Sequence, residues 1–534
     1  MQHTVMECYA ETHRDFEWDI PESFNYGGDV VDCWAQDPSR QALIWLNEAG
    51  DEKHYSFADI KALSNQFANL LAAQGVARGD KVIIMLPRIP QWQIAMVGCN
   101  KLGAVPIPCV TMLTEKDVSY RAEHSGAVAV VTTVADSSKF GGAFKARISV
   151  GECPDWLDFD SSISAQSDAF EPVPLAAEDP AILFYTSGST GLPKGVLHSS
   201  RGLYSWRESA RYWLSLTEND LMWCTADTGW SKAGTSILYG PWSMGSTVLF
   251  YDGGFDAEKR LELLEKYKVN VFCAAATELR KLLEQDFTAR DLSALRLTVS
   301  AGETVNPKVV RRWHEKSGSL LLDGYGQTET LMTIVNYNCM PVKPGSMGQP
   351  MPGTDAAILG DAGEVLDAGM AGQLAIKAPN PQIMLGYLGD DERTAACYVE
   401  SKGQRWFLTG DNAAMDDEGY IFYEGRDDDV INSSGYRIGP TEVENALIEH
   451  PAVQESAAVA SPDDERGEVV KAFIVLKSGF EPSAELVQDI QAFTKQNTAP
   501  YKYPRKVEFV SELPKTPTGK IQRNLLKQSE FEGG

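Results

Sequence analysis

The 534-residue chain has no apolar stretch near the length of a membrane span, so no helix is expected to cross a bilayer. Its first 21 residues are polar and acidic and lack an apolar core, so no signal peptide is expected there. The nine cysteines are scattered, with Cys99 and Cys109 the nearest pair, which excludes a metal-ligand spacing. An odd, unpatterned set suits reduced thiols and a cytoplasmic location. Basic charge is also scarce: 48 Lys and Arg face 74 Asp and Glu, a net charge of −26 that argues against nucleic acid as a partner. There is neither internal repeat nor low-complexity segment. With 43% hydrophobic residues the chain can bury a large core in more than one domain.

What is present is a loop. Residues 185–196 read Tyr-Thr-Ser-Gly-Ser-Thr-Gly-Leu-Pro-Lys-Gly-Val, after an apolar run Ala181–Phe184 that reads as a buried strand. Glycines free backbone N–H groups to face an anion, hydroxyls add donors, and Lys194 adds a compact positive charge. A nucleotide triphosphate is the ligand this composition fits. The P-loop of kinases does not match, because Lys194 lies between Pro193 and Gly195 with no Ser or Thr after it. A glycine-rich hairpin tip is the bland alternative.

Around this loop, helix-like and strand-like segments alternate. Ile60, Leu63, Phe67, Leu70 and Leu71 form a helical stripe, followed by a strand over 82–86, a helix over 91–102 and a strand over 127–133. Residues 257–267, 269–273, 295–300, 307–316 and 320–322 continue the rhythm, which predicts parallel sheets covered by helices. The pattern changes after Gly425-Arg426-Asp427-Asp428-Asp429. Residues 1–427 are expected to form a large N-terminal α/β domain, and residues 428–534 a small C-terminal α+β domain. In that smaller unit, Thr441 and Glu444 predict a capping box, residues 453–460 and 469–476 strands, and Ser483 the cap of a helix with Leu486, Val487, Ile490 and Phe493 inward. The segment 501–527 carries seven Lys or Arg against two Glu, a basic patch able to focus anions on an acidic protein.

Further motifs follow. Asp323-Gly-Tyr-Gly-Gln-Thr-Glu329 comes after a predicted strand, where open α/β sheets bind ligands. Glu329 suits magnesium, which takes one or two carboxylates beside phosphate oxygens, and Tyr325 could stack on adenine. Phe407-Leu-Thr-Gly-Asp411 sets an acid after a turn, suited to a ribose diol, with Arg426 in reach of the same hydroxyls or of a phosphate. Pro514-Lys-Thr-Pro-Thr-Gly-Lys520 holds a lysine on a pinned loop. Each alone is an ordinary turn or surface residue; their order along one chain is what carries weight.

In that order, from about Phe57 to Lys527, these segments resemble the adenylate-forming superfamily, which includes acyl-CoA synthetases, peptide-synthetase adenylation domains and firefly luciferase. The resemblance implies that Thr186, Ser187, Gly188, Ser189, Thr190, Gly191 and Lys194 bind the triphosphate of ATP. It implies that Gly302, Glu303, Thr304, Asp323, Gly324, Tyr325, Gly326, Gln327 and Thr328 hold adenosine and the acyl phosphate. Glu329 would bind Mg2+, Asp411 and Arg426 the ribose, and Lys520 the α-phosphate during adenylation; Thr190, Glu329 and Lys520 are the catalytic set. Thr304 departs from the proline of many relatives. The segments 432–440, 466–471 and 499–505 look like the medium-chain acyl-CoA synthetase branch, which assigns CoA contacts to Ser434, Gly435, Tyr436, Arg466, Lys495 and Tyr503. Asp428 would be the hinge for domain alternation between the two half-reactions.

The implied reaction joins a carboxylic acid to AMP and then to CoA. Trp230, Ala301, Gly302, Tyr325 and Gly326 would line the acyl pocket. Gly326 stands where acetate-using relatives carry a wall-forming tryptophan, so medium-chain, short branched or aromatic acids are expected. Lys232 is expected to snorkel outward. An acetyl- or propionyl-CoA synthetase is the second reading, and a non-catalytic nucleotide-binding protein the third. Partners are expected to be small molecules, with a homodimer admitted.

Overall fold

A computed structural model describes residues 6–186, 192–303, 305–426, 429–433, 436–463, 466–498, 502–515 and 521–532. The predicted alternation resolves into two sheets of parallel strands. The larger has nine strands, and its centre runs Leu320–Gln327, Leu297–Ala301, Val271–Cys273, Leu221–Cys224, Thr247–Asp252, Gln41–Asn47, all parallel. The second is wholly parallel: Val105–Pro108, Lys81–Met85, Ala129–Thr133, Ala146–Val150, Leu157–Asp158. Strands such as Val271–Cys273 and Leu297–Ala301 are buried along their whole length, as helix cover on both faces requires. The helix Phe57–Ala73 begins at a capping box of Ser56 with Asp59, and Ile60, Phe67, Leu70 and Leu71 enter the core.

Two features depart from the sequence reading. The loop strand Pro180–Thr186 pairs antiparallel with Lys194–Ser199, which pairs antiparallel with Gly386–Tyr387. Residues between Ala356 and Arg426 build a five-stranded antiparallel sheet around the long strand Gln404–Met415. In the longer strands of that sheet, Ala371–Ala378 and Gln404–Met415, exposed or half-buried positions and the glycines Gly372 and Gly410 interrupt the apolar runs that mark parallel strands.

Beyond the strand Ile421–Arg426 the next begins at Ile431 and joins a separate sheet with Val453–Asp463 and Gly467–Leu476. Helices Pro440–Glu449 and Ala484–Asn497 contribute Val443, Leu447 and Ile490 to its core beside Ile431, Ile438 and Ile474, giving the expected α+β unit. The proposed hinge residue Asp428 lies outside the described residues. Ser483 caps its helix as predicted, accepting from Leu486 N at 3.1 Å. The capping box of Thr441 and Glu444 does not form: Gly439 is the N-cap, Pro440 opens the helix, and both Thr441 and Glu444 fall inside it. The Glu444 carboxylate instead accepts from Ala458 N at 2.9 Å and from Arg523 at 2.8 and 2.6 Å.

Candidate active site

The C-terminal ends of Leu297–Ala301 and Leu320–Gln327, adjacent and parallel, open the site. Gly302 turns the chain there with φ +91°, a conformation glycine takes without strain. Glu303 Oε1 accepts from Thr277 N at 2.8 Å and Thr277 Oγ1 at 3.1 Å, tying this turn to the helix Ala276–Leu282. Asp323 is buried, accepts from Gly324 N at 2.9 Å and Val305 N at 3.3 Å, and burial pushes its carboxyl up to about 7.

Tyr325 lies in an apolar cluster with Ile334, Met347 and Leu374. Its hydroxyl donates to Asp411 Oδ2 at 2.6 Å, and Gln327 Nε2 donates to the same oxygen at 2.6 Å. Tyr325 is buried, and its hydroxyl orients Asp411 in this structure. Asp411 is directly opposite Arg426 in the antiparallel register, with Arg426 Nε 3.9 Å from its Oδ1. The predicted ribose pair is therefore assembled, 15 residues apart in sequence, by one strand pairing.

A second group gathers at Glu329. Tyr387 donates its hydroxyl to Glu329 Oε1 at 2.9 Å, and Lys194 Nζ sits 4.9 Å over the Tyr387 ring. Burial and the Glu329 charge push the Tyr387 phenol well up, so it remains a donor. His198, wholly buried, bonds the Thr328 carbonyl through Nε2 at 2.6 Å, and burial lowers its imidazole to about 4. The neutral ring thus carries its proton on Nε2. Sequence reading missed both His198 and Tyr387. His198 is four residues past Lys194 on the same strand; Tyr387 is 58 residues past Glu329, and no spacing signals it.

Magnesium fits a single carboxylate beside a phosphate-binding loop, since it usually keeps phosphate oxygens and waters rather than an all-protein cage. Glu329 beside Lys194 is such a place, and no cluster of three metal-ligating side chains exists among the described residues.

The strand hairpin that bears Lys194, the Glu329 turn and the Asp411–Arg426 pair stand together as one set. Two family models match the same chain: the AMP-binding enzyme over residues 31–388 and the AMP-binding enzyme C-terminal domain over residues 442–520. The chain belongs to the AMP-binding enzyme family. It is 40% identical over 547 residues to mouse acyl-coenzyme A synthetase ACSM3, mitochondrial, covering 98% of this chain and 93% of the relative. Among solved structures, a Brucella canis acyl-CoA synthetase is 33% identical with a TM-score of 0.75, covering 99% of this chain and all of that one. An anthranilate CoA ligase in complex with anthranoyl-AMP is 29% identical with a TM-score of 0.87, covering 96% and 98%.

Other expected family positions are placed as follows. Thr186 ends its strand opposite Lys194, with a buried hydroxyl that has no partner among the described residues. Ser187, Gly188, Ser189, Thr190, Gly191, Thr304, Ser434, Gly435 and Lys520 lie outside the described residues. Arg466 N donates to Asp463 at 3.0 Å, and Lys495 Nζ stands 5.5 Å over the Tyr503 ring, which Arg505 also faces at 5.0 Å. The basic segment is less free than its composition suggests. Lys502 pairs with Glu442, Lys515 with Glu455 at 2.7 Å, and Arg523 with Glu444 at 2.6 Å.

The acyl pocket needs two corrections. Gly326 is not an emptied wall: a Cβ there would stand 2.0 Å from the Leu331 carbonyl oxygen, so the glycine admits the neighbouring backbone at a bulge between the strands. Lys232 does not snorkel outward; its Nζ donates to the Ala301 carbonyl, and a Cβ at Gly302 would be only 3.8 Å from it. Ala301 is buried, and Trp230 is 37% exposed just before the short helix Ser231–Ser236.

Proposed function

We propose that this AMP-forming acyl-CoA synthetase activates carboxylic acids larger than acetate, of the medium-chain, short branched or aromatic kind. The observation that supports the adenylation chemistry is the assembly of Lys194 and Glu329 on one tyrosine, with Asp411 and Arg426 on a paired strand. In the first half-reaction the substrate carboxylate attacks the α-phosphorus of ATP, pyrophosphate leaves, and acyl-AMP forms. Lys194 and Lys520 neutralise charge developing on the phosphate oxygens, and hydroxyls of the loop that includes Thr190 donate to them. Bound magnesium, held by Glu329, would supply electrostatic stabilisation of the phosphates. Asp411 and Arg426 fix the ribose, and so the α-phosphate, in line with the acid. In the second half-reaction the CoA thiolate attacks the acyl carbon and AMP leaves.

CoA contacts are assigned to Ser434, Gly435, Tyr436, Arg466, Lys495 and Tyr503. The division at 427/428 with a hinge at Asp428 is supported by the change of sheet between Arg426 and Ile431. The nine free cysteines accord with a cytoplasmic setting. The size of the acid rests on the small Ala301, on Trp230, and on likeness to a ligase whose complex holds an aromatic acyl-AMP. Each buried methylene contributes only about 0.8 kcal/mol, so neighbouring chain lengths should be separated modestly. Pyrophosphate release with ATP, magnesium and CoA across acids from acetate to decanoate, with branched and aromatic members, tests this. A maximum above acetate is expected; a maximum at acetate would favour the acetyl-CoA synthetase reading.

A further inference from the structure

Residues 384–388 are bonded to both halves of the phosphate site. Met384 N donates to the Glu329 carbonyl at 2.8 Å, while Leu385 N and Leu388 N donate to the Leu197 and Gly195 carbonyls, each at 2.8 Å. This short strand therefore fastens the hairpin bearing Lys194 to the turn bearing Glu329. Tyr387, at its centre, is 9% exposed; its hydroxyl engages one oxygen of Glu329 and its ring lies under the Lys194 ammonium. Its backbone is held as well, by Tyr387 N donating to Thr394 Oγ1 at 2.9 Å.

We propose that Tyr387 is a positioning residue that couples the phosphate-loop lysine to the metal-binding carboxylate, so that metal and nucleotide are bound as one unit. Holding Oε1 fixes the rotation of the Glu329 carboxylate and leaves Oε2 to a cation. The π face fixes where Lys194 stands when phosphate arrives. The two contacts use different parts of the side chain and separate by substitution. Tyr387→Phe removes only the hydroxyl; Tyr387→Leu removes the ring as well.

This inference rests on Glu329 as the magnesium ligand, and the test separates the two. ATP binding to the full-length protein is measured by titration calorimetry with and without magnesium, for wild type, Tyr387→Phe, Tyr387→Leu and Glu329→Gln. Removing a partner of a metal-binding carboxylate typically costs about 10–100-fold in metal affinity. Tyr387→Phe is therefore expected to raise the magnesium concentration for half-maximal enhancement by at least about tenfold, with metal-free ATP affinity held within about twofold. Tyr387→Leu should in addition weaken metal-free ATP. Should Tyr387→Phe match wild type while Glu329→Gln loses the magnesium response, the positioning role falls and the metal assignment stands. If Glu329→Gln keeps the response, both fall. Equal weakening of ATP binding by Tyr387→Phe with and without magnesium would mean a structural role and also overturn the proposal.

Discussion

His198 shows how one buried side chain joins stability to the site. Its neutral form is favoured in the fold, with the imidazole at about 4 against an ordinary 6.5. The unfolded chain therefore binds the extra proton first. Stability from this group is complete above about pH 6.5 and is lost as pH falls towards 4, by up to about 1.4 kcal/mol per pH unit. Thermal melting of His198→Gln from pH 4.5 to 7 should show a flatter profile than wild type; parallel profiles would remove His198 as the cause. Gly326 carries a second residue-scale prediction. Overpacking a close backbone approach typically costs about 1–3 kcal/mol, so Gly326→Ala should lower the melting temperature and reduce turnover of every acid alike. A shift of preference towards acetate at unchanged melting temperature would restore the pocket-wall reading. The sequence marked Gly326 as special; which neighbour demanded the glycine, the Leu331 carbonyl beside its register partner Met332, was set by the strand pairing and is invisible without the fold.

At the scale of elements, the last helix is anchored by ion pairs at both ends, Arg523 with Glu444 and Glu530 with Lys471, each at 2.6 Å. Arg523 opens Arg523–Glu532 and bonds Glu444, whose side chain is 9% exposed, across 79 residues. Removing one partner of a buried pair leaves an uncompensated charge, at a cost of about 3–5 kcal/mol. Arg523→Ala should lower the unfolding free energy from urea titration by a comparable amount, seen as a lower midpoint, and Glu444→Gln in the same background should recover part of it. An unchanged midpoint would show that solvent already screens the pair. Here too the sequence was half legible. Helix Pro440–Glu449 and its apolar face were readable from periodicity, whereas the task of Glu444 was not. A Ser/Thr-x-x-Glu spacing announces a capping box only when Thr441 stands outside the helix, and Pro440 at the first helical position shifted the start.

For the whole molecule, the prediction concerns the order of the two half-reactions. Lys520 belongs to the C-terminal family match and the phosphate loop to the N-terminal one. If the small domain turns between steps, the two reactions use different residues of it. Lys520→Ala should then abolish acyl-AMP formation, measured as pyrophosphate release, while CoA thioester formation from preformed acyl-AMP persists. Equal loss of both would refute a role confined to adenylation. Conversely, Tyr503→Ala is expected to impair the thioester step more than the first.

The sequence by itself determined the family, the two-part organisation, the parallel sheets and the ligand class. Apolar runs, glycine turns and the order of motifs are local signals, and burial on both faces of a strand writes itself into composition. The tertiary structure decided which of those residues act together. It placed Tyr387 between Lys194 and Glu329, Arg426 opposite Asp411, and Lys232 on the Ala301 carbonyl rather than in solvent. It also gave Glu303 and much of the basic tail internal partners. Hydrogen bonds and ion pairs between residues far apart in sequence depend on strand pairing and packing, and no local pattern records them.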